Sequence, residues 1–334
     1  MAGYDLKEGK YEERHVSDDE LWSALSVVFT SKSVNDTSYK FGFLKAIIDN
    51  LYNVDENLKL NFDQLFSKFG EIYWNLVLKY GLRQKSPTKD NRETSLERIL
   101  HAAVDKYQIT EPIPYESLTP PMMIDISHKI KVKCKENVVG ALFADTRKLF
   151  YSFNKKEEWI QINREMYTFI CKHKVLIEKL NYYEWAKFLE KVNEDDVTTK
   201  ILNKIDESSK RNNLSMYRHI LYEEFENKTC FYCGRSLDEE KIPVDHFIPW
   251  SFIKDDNLWN LVLSCPTCNL KKNDKLPNPD YLTKIVDRNK TLLIDIHKPE
   301  MKNYQPNKLI RIYDWAKVNG YVDEWKPVRT VSNK

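Results

Sequence analysis

The chain has 334 residues, 42% hydrophobic and 13% aromatic, which excludes wholesale disorder. At roughly 150 residues per domain, its length points to about two domains. Fifty-two Lys plus Arg against 50 Asp plus Glu leave a net charge of +2, which neither names nor excludes a nucleic-acid partner. Eight glycines fall well short of the usual share of ~7%. That weakens a Rossmann or phosphate-loop reading and points to helices.

Met1 to Glu8 contains no apolar signal region, and no run of about 18 apolar residues occurs. Neither secretion nor membrane spanning is expected, and the expected compartment is a reducing cytoplasm. Residues 1–220 read as a mostly helical scaffold or recognition region. Ser17-Asp18-Asp19-Glu20 is a capping box leading into Leu21-Trp22-Ser23-Ala24-Leu25. Apolar stripes follow at helical spacing through Phe41, Leu44, Ile47, Ile48 and Leu51, then from Phe62 to Leu78. Thr94-Ser95-Leu96-Glu97 is a second capping box. Pro112, Pro114, Pro120 and Pro121 interrupt the pattern and suggest a sub-boundary near 110–122.

Two apolar runs, 149–153 and 159–162, flank a polar pentapeptide and read as a hairpin, with a helix pair as the alternative. Helical periodicity resumes from Glu165 to about Val192. Glu194 to Asn213 is a polar linker or exposed helix, and Leu214 to Phe225 is a short amphipathic helix. His101, His128 and His173 have no partner at ligand spacing and read as structural. The basic stretches Lys79–Lys89 and Lys129–Lys135 read either as solvated faces or as phosphate-tracking surfaces.

Chemistry concentrates after residue 220. Cys230 and Cys233 form one Cys-x-x-Cys pair and Cys265 and Cys268 another, with 31 residues between them. Paired spacing of this kind suits a tetrahedral zinc site. Four thiolates leave no open position, so the zinc would be structural. Between the pairs, Val244 to Pro249 reads as a short strand carrying Asp245 and His246, and Asn257 to Leu263 as a second strand. Pro266-Thr267-Cys268-Asn269-Leu270-Lys271-Lys272 then opens a helix.

Those residues resemble the HNH endonuclease family, the ββα-metal nucleases, over Cys230 to roughly Pro277. Asp-His stands on the first strand, Asn260 before the second cysteine pair, and Cys-x-x-Cys-Asn is followed by lysine. The insert Asp245 to Asp256 is also similar to the HNH domain of CRISPR RNA-guided nucleases. The fold class expected is α+β, mostly α-helical. A helical region, residues 1–220, precedes a small ββα-metal domain, residues 221–290, and a C-terminal segment, 291–334, packs back on the body.

Phosphodiester hydrolysis needs a water nucleophile, a base, and positive charge on the developing phosphorane. His246 is a natural base. Asp245 and Asn269 offer oxygen ligands suited to Mg²⁺ or Mn²⁺. The resemblance assigns the water to His246, the metal to Asp245, and a positional role to Asn260. Many family members carry histidine where this chain has Asn269, which leaves a purely oxygen site. Lys271, Lys272 and Lys275 follow as candidates for phosphate contact. Asp255 and Asp256 read as a solvated acidic turn, with extra metal ligation as the alternative. Trp250 and Trp259 read as packing for a small domain, and His219 as structural.

The expectation is a metal-dependent DNA endonuclease in bacterial restriction or anti-phage defence, with a structural zinc and RNA as the alternative substrate. Double-strand cleavage would call for a homodimer, and the helical region for a target or protein partner. The competing readings are a zinc-stabilised nucleic-acid-binding module without catalysis, and an effector nuclease activated by a partner or ligand.

Overall fold

A computed structural model describes residues 5–86, 93–209, 214–224, 228–237, 242–294, 301 and 303–327. It is mostly helical with a few small sheets, the α+β class expected. Contacts divide it into two units, Met1–Lys210 and Arg211–Lys334. No described helix is long and apolar enough to cross a membrane.

In the first unit, β1 (Glu8–Gly9) precedes α1 (Asp18–Ser26), α2 (Tyr39–Asp49), β2 (Lys59–Asn61), α3 (Phe62–Trp74) and α4 (Ser95–Lys106). The capping boxes at Ser17 and Thr94 both form. Pro120 and Pro121 open α5 (Pro120–Asp145), where a proline's missing N–H is no loss. That helix packs on α3 and α4. The hairpin forms as β3 (Tyr151–Asn154) and β4 (Trp159–Ile162), inside an antiparallel sheet of order β1-β3-β4-β2. The long α6 (Arg164–Val192) follows. The polar stretch after it forms α7 (Asp195–Thr198) and α8 (Ile201–Asp206).

Phe43, Phe62, Phe66, Phe69, Tyr73 and Trp185 fill the core of this unit. Gly42 is required there: a Cβ would lie 2.4 Å from the Tyr73 ring. The basic stretch on α5 is largely ion-paired within the unit. Lys129 meets Asp125, Lys131 meets Asp63 and Glu158, and Lys135 meets Glu158, all within 2.9 Å. These charges tie α5 to the hairpin, which argues against a phosphate-tracking surface made from them. His173 sits at a kink in α6 against the Trp22 and Phe169 rings, as a structural histidine does.

The second unit runs α9 (Ser215–Glu224), β5 (Val244–His246), α10 (Trp250–Ile253), β6 (Leu261–Leu263), α11 (Pro266–Lys272), β7 (Leu276–Pro277), α12 (Asp280–Ile294), α13 (Pro306–Val318) and β8 (Glu324–Trp325). β5 and β6 pair antiparallel, with Asp245 opposite Val262 and His246 opposite Leu261. The second strand is shorter than its apolar run. Residues 258–260 form a 3₁₀ turn, closed by the Asn260 N–H on the Asn257 carbonyl. Residues 324–325 return as a parallel partner for β7, and Trp325 packs edge-on against Tyr232.

Candidate active site

The four cysteines converge. Their Sγ atoms all lie within 4.8 Å of one another, and Cys233 Sγ is 3.8 Å from Cys265 Sγ. Thiolates at ~2.3 Å from a tetrahedral zinc are separated by about 3.8 Å, so the spacing fits that ion. Local sequence builds both halves. Gly234, at φ +73°, lets the chain turn behind the first pair, and its N–H returns to the Cys230 carbonyl. Cys265 is the N-cap of α11, with Pro266 at the start of the helix, which brings Cys268 round to it.

Tyr232, between the first two cysteines, donates its hydroxyl to Asp245 Oδ2 at 2.5 Å. Burial, reinforced by the Asp245 charge, pushes that phenol well above its ordinary value, so it remains a donor. Lys272 Nζ lies 3.1 Å from Asp245 Oδ2 and donates to the His246 carbonyl at 2.6 Å. Its side chain is 1% exposed. Lys272 is therefore an internal strut, unlike the exposed Lys271 and Lys275, and this corrects the expectation that all three face a phosphate. It stands four residues after the buried Cys268, on the same face of α11.

Asn260 is fully buried and clasps the chain leaving β5. Its Oδ1 accepts from the Ile248 N–H at 2.8 Å and its Nδ2 donates to the Ile248 carbonyl at 2.9 Å. The flanking backbone is held from α12. Arg288 donates to the Leu261 carbonyl at 2.7 Å and Asn289 to the Trp259 carbonyl at 2.8 Å. Burial brings the Arg288 guanidinium down to about 10, still a cation near neutrality.

His246 Nε2 lies 2.7 Å from Asp256 Oδ1, with the two side chains 6% and 2% exposed. The expected solvated acidic turn is thus wrong for Asp256. Lys254, at φ +62°, ends α10 in the left-handed region and turns the chain back toward His246. Trp259 packs on Tyr304 as expected, whereas Trp250 lines a cleft.

That cleft, of about 350 Å³, brings Asp245, His246 and Asn269 together, with Leu214, Trp250 and Leu270 also on its wall. Asn260 stays behind it. Among the described residues, the four cysteines are the one group of three or more His, Cys, Asp or Glu ligands gathered closely enough to hold a metal. Asp245 and Asn269 are a partial oxygen shell, as suits an ion that keeps its waters. Tyr232 and Arg288 carry no signal that the sequence reading uses, and Asp256 takes a role other than the turn or metal ligand expected of it. Tyr232 alone had a positional cue, its place inside a cysteine pair.

Residues 230–278 match the HNH endonuclease family. The second unit carries an HNH endonuclease domain. No curated protein and no solved structure matches the chain, so the similarity of the HNH insert to CRISPR nucleases gains no support beyond the sequence itself. An HNH domain implies a nucleic-acid substrate. Arg288 and Asn289 lie outside the matched span yet hold the backbone on either side of Asn260.

Proposed function

We propose that the protein is a metal-dependent endonuclease that hydrolyses DNA phosphodiester bonds. The carrying observation is the shared cleft of Asp245, His246 and Asn269 beside the four-cysteine cluster. His246 takes a proton from the attacking water. Asn260 fixes the chain that follows His246, while Tyr232 and Lys272 hold the Asp245 carboxylate. Asp245 and Asn269 would hold Mg²⁺ or Mn²⁺, which supplies positive charge for the phosphorane and leaving oxygen. Cys230, Cys233, Cys265 and Cys268 would hold a structural zinc. Lys271 and Lys275, both exposed, would supply the phosphate contacts.

The test is plasmid cleavage with Mg²⁺ or Mn²⁺, comparing wild type, His246→Ala, Asn269→Ala and an EDTA control. Metal-dependent cutting abolished by His246→Ala is expected. Cutting that survives that substitution refutes the assignment of the base, and retardation of DNA without cutting leaves the zinc-stabilised binding module.

The setting we propose is restriction or anti-phage defence in the cytoplasm, with residues 1–220 as the recognition region and 221–290 as the nuclease. Phage plating efficiency with and without His246→Ala tests it. One site cuts one strand, so double-strand cleavage would come from a homodimer. Nicking by a monomer of defined mass would refute that assembly.

A further inference from the structure

We propose that Asp256 is the positioning residue of the base: its carboxylate accepts Nε2–H of His246 and leaves Nδ1 as the ring nitrogen that meets the water. This rests on the nuclease reading above. Among the described residues, the Asp256 carboxylate is the hydrogen-bond partner of the His246 ring. The Asn260 side chain is committed to Ile248, and Lys272 reaches the His246 backbone. No other described residue is hydrogen-bonded to the imidazole.

The placement of Asp256 argues against its other roles. It is nearly as buried as the protein interior, so it is not a solvated turn. It is absent from the cleft wall that Asp245 and Asn269 share, so it is not a third ligand there. A carboxylate at one ring nitrogen fixes both the tautomer and the orientation of an imidazole. Away from water, that interaction is weakly screened.

In the step this arrangement serves, an O–H bond of water breaks and its proton goes to Nδ1. The resulting hydroxide forms a bond to phosphorus, and the bond from phosphorus to the leaving oxygen breaks. That oxygen takes a proton from solvent, giving a phosphate monoester and an alcohol. Throughout, the Asp256 carboxylate keeps its contact with Nε2–H and stabilises the imidazolium.

Two measurements on the full-length zinc-loaded protein test the proposal. The first compares plasmid-nicking kinetics of wild type, Asp256→Asn and Asp256→Glu. Removing an orienting partner of this kind is worth about 10- to 100-fold. We expect kcat to fall by that factor in Asp256→Asn with KM within threefold, and Asp256→Glu to recover part of the loss. The second records imidazole ¹⁵N resonances at pH 8, assigned to His246 by their loss in His246→Gln. The Nε2–H tautomer is expected in wild type, and a mixture or the Nδ1–H tautomer in Asp256→Asn.

A kcat within threefold of wild type in Asp256→Asn overturns the proposal, as does an Nδ1–H tautomer in the wild-type protein. The resonances decide even if a variant is too unstable for kinetics, because the wild-type spectrum is sufficient. A wild type with the Nε2–H tautomer and no cutting under any metal would instead sink the nuclease reading.

Discussion

Lys272→Met separates an internal strut from a surface phosphate contact. The substitution keeps most of the side-chain length and removes the ammonium. The His246 carbonyl then loses its 2.6 Å donor, and the buried Asp245 carboxylate keeps the Tyr232 hydroxyl alone of its described donors. Removing one partner of a buried pair is worth ~3–5 kcal/mol, because the other charge stays buried. Lys271→Met and Lys275→Met, on exposed positions, should each stay within about 0.5 kcal/mol of wild type. Urea unfolding followed by zinc release to a chromogenic chelator reports on the second unit alone. In the same protein, Asp245→Asn combined with Lys272→Met should lose less than the sum of the two single changes, since the pair then leaves no unpaired charge. A loss under ~1 kcal/mol in Lys272→Met, with a salt slope of DNA affinity lowered by ~0.9 as for a single phosphate contact, would refute the internal strut.

Asn260→Ala strands the Ile248 N–H and carbonyl, each worth ~1–3 kcal/mol when buried and unpaired, so a loss of about 2–6 kcal/mol is expected in the same unfolding assay. Asn260→Asp should also destabilise, because it sets an oxygen against the Ile248 carbonyl. Cys233→Ser should lower zinc content by mass spectrometry and expose the second unit to protease while Met1–Lys210 stays resistant. Burial in the first unit pushes the Cys134 thiol up to about 12 from an ordinary 9.0. Between those values the folded chain keeps a proton that the unfolded chain releases, so stability falls as pH rises from about 9. Urea midpoints from pH 8 to 10 should fall more steeply in wild type than in Cys134→Ala.

Local signals in the sequence carried well where the physics is local. Capping boxes need residues three apart, and both formed. The hairpin and the cysteine cluster follow from alternation and pair spacing. Longer-range partnerships were out of reach. No spacing rule links Asp256 to His246 ten residues earlier, because their meeting depends on a left-handed residue at Lys254. An apolar run from Leu258 to Leu263 cannot say that its first half turns to free the Asn260 side chain for Ile248. Lys272 was legible in principle: four residues after Cys268, it had to share the face that the cysteine buries.

The cysteine cluster and the cleft are one construction. Tyr232 sits between two of the cysteines and holds Asp245, while Asn269 follows Cys268 directly and Lys272 lies one turn later on the same helix. Any displacement of the four sulfurs therefore moves a hydroxyl and an ammonium that meet the first strand, and an amide on the cleft that the strand lines. The structural metal would in that way set the geometry of the cleft while touching none of its reacting groups. The stretch between the two cysteine pairs adds the remaining constraints, Asp256 on the imidazole ring and Asn260 on the chain beyond it. Arg288 and Asn289 brace that segment from a helix past the end of the family match. A fragment cut at residue 278 would keep every residue of the HNH pattern and lose those two donors, leaving the carbonyls of Trp259 and Leu261 to water.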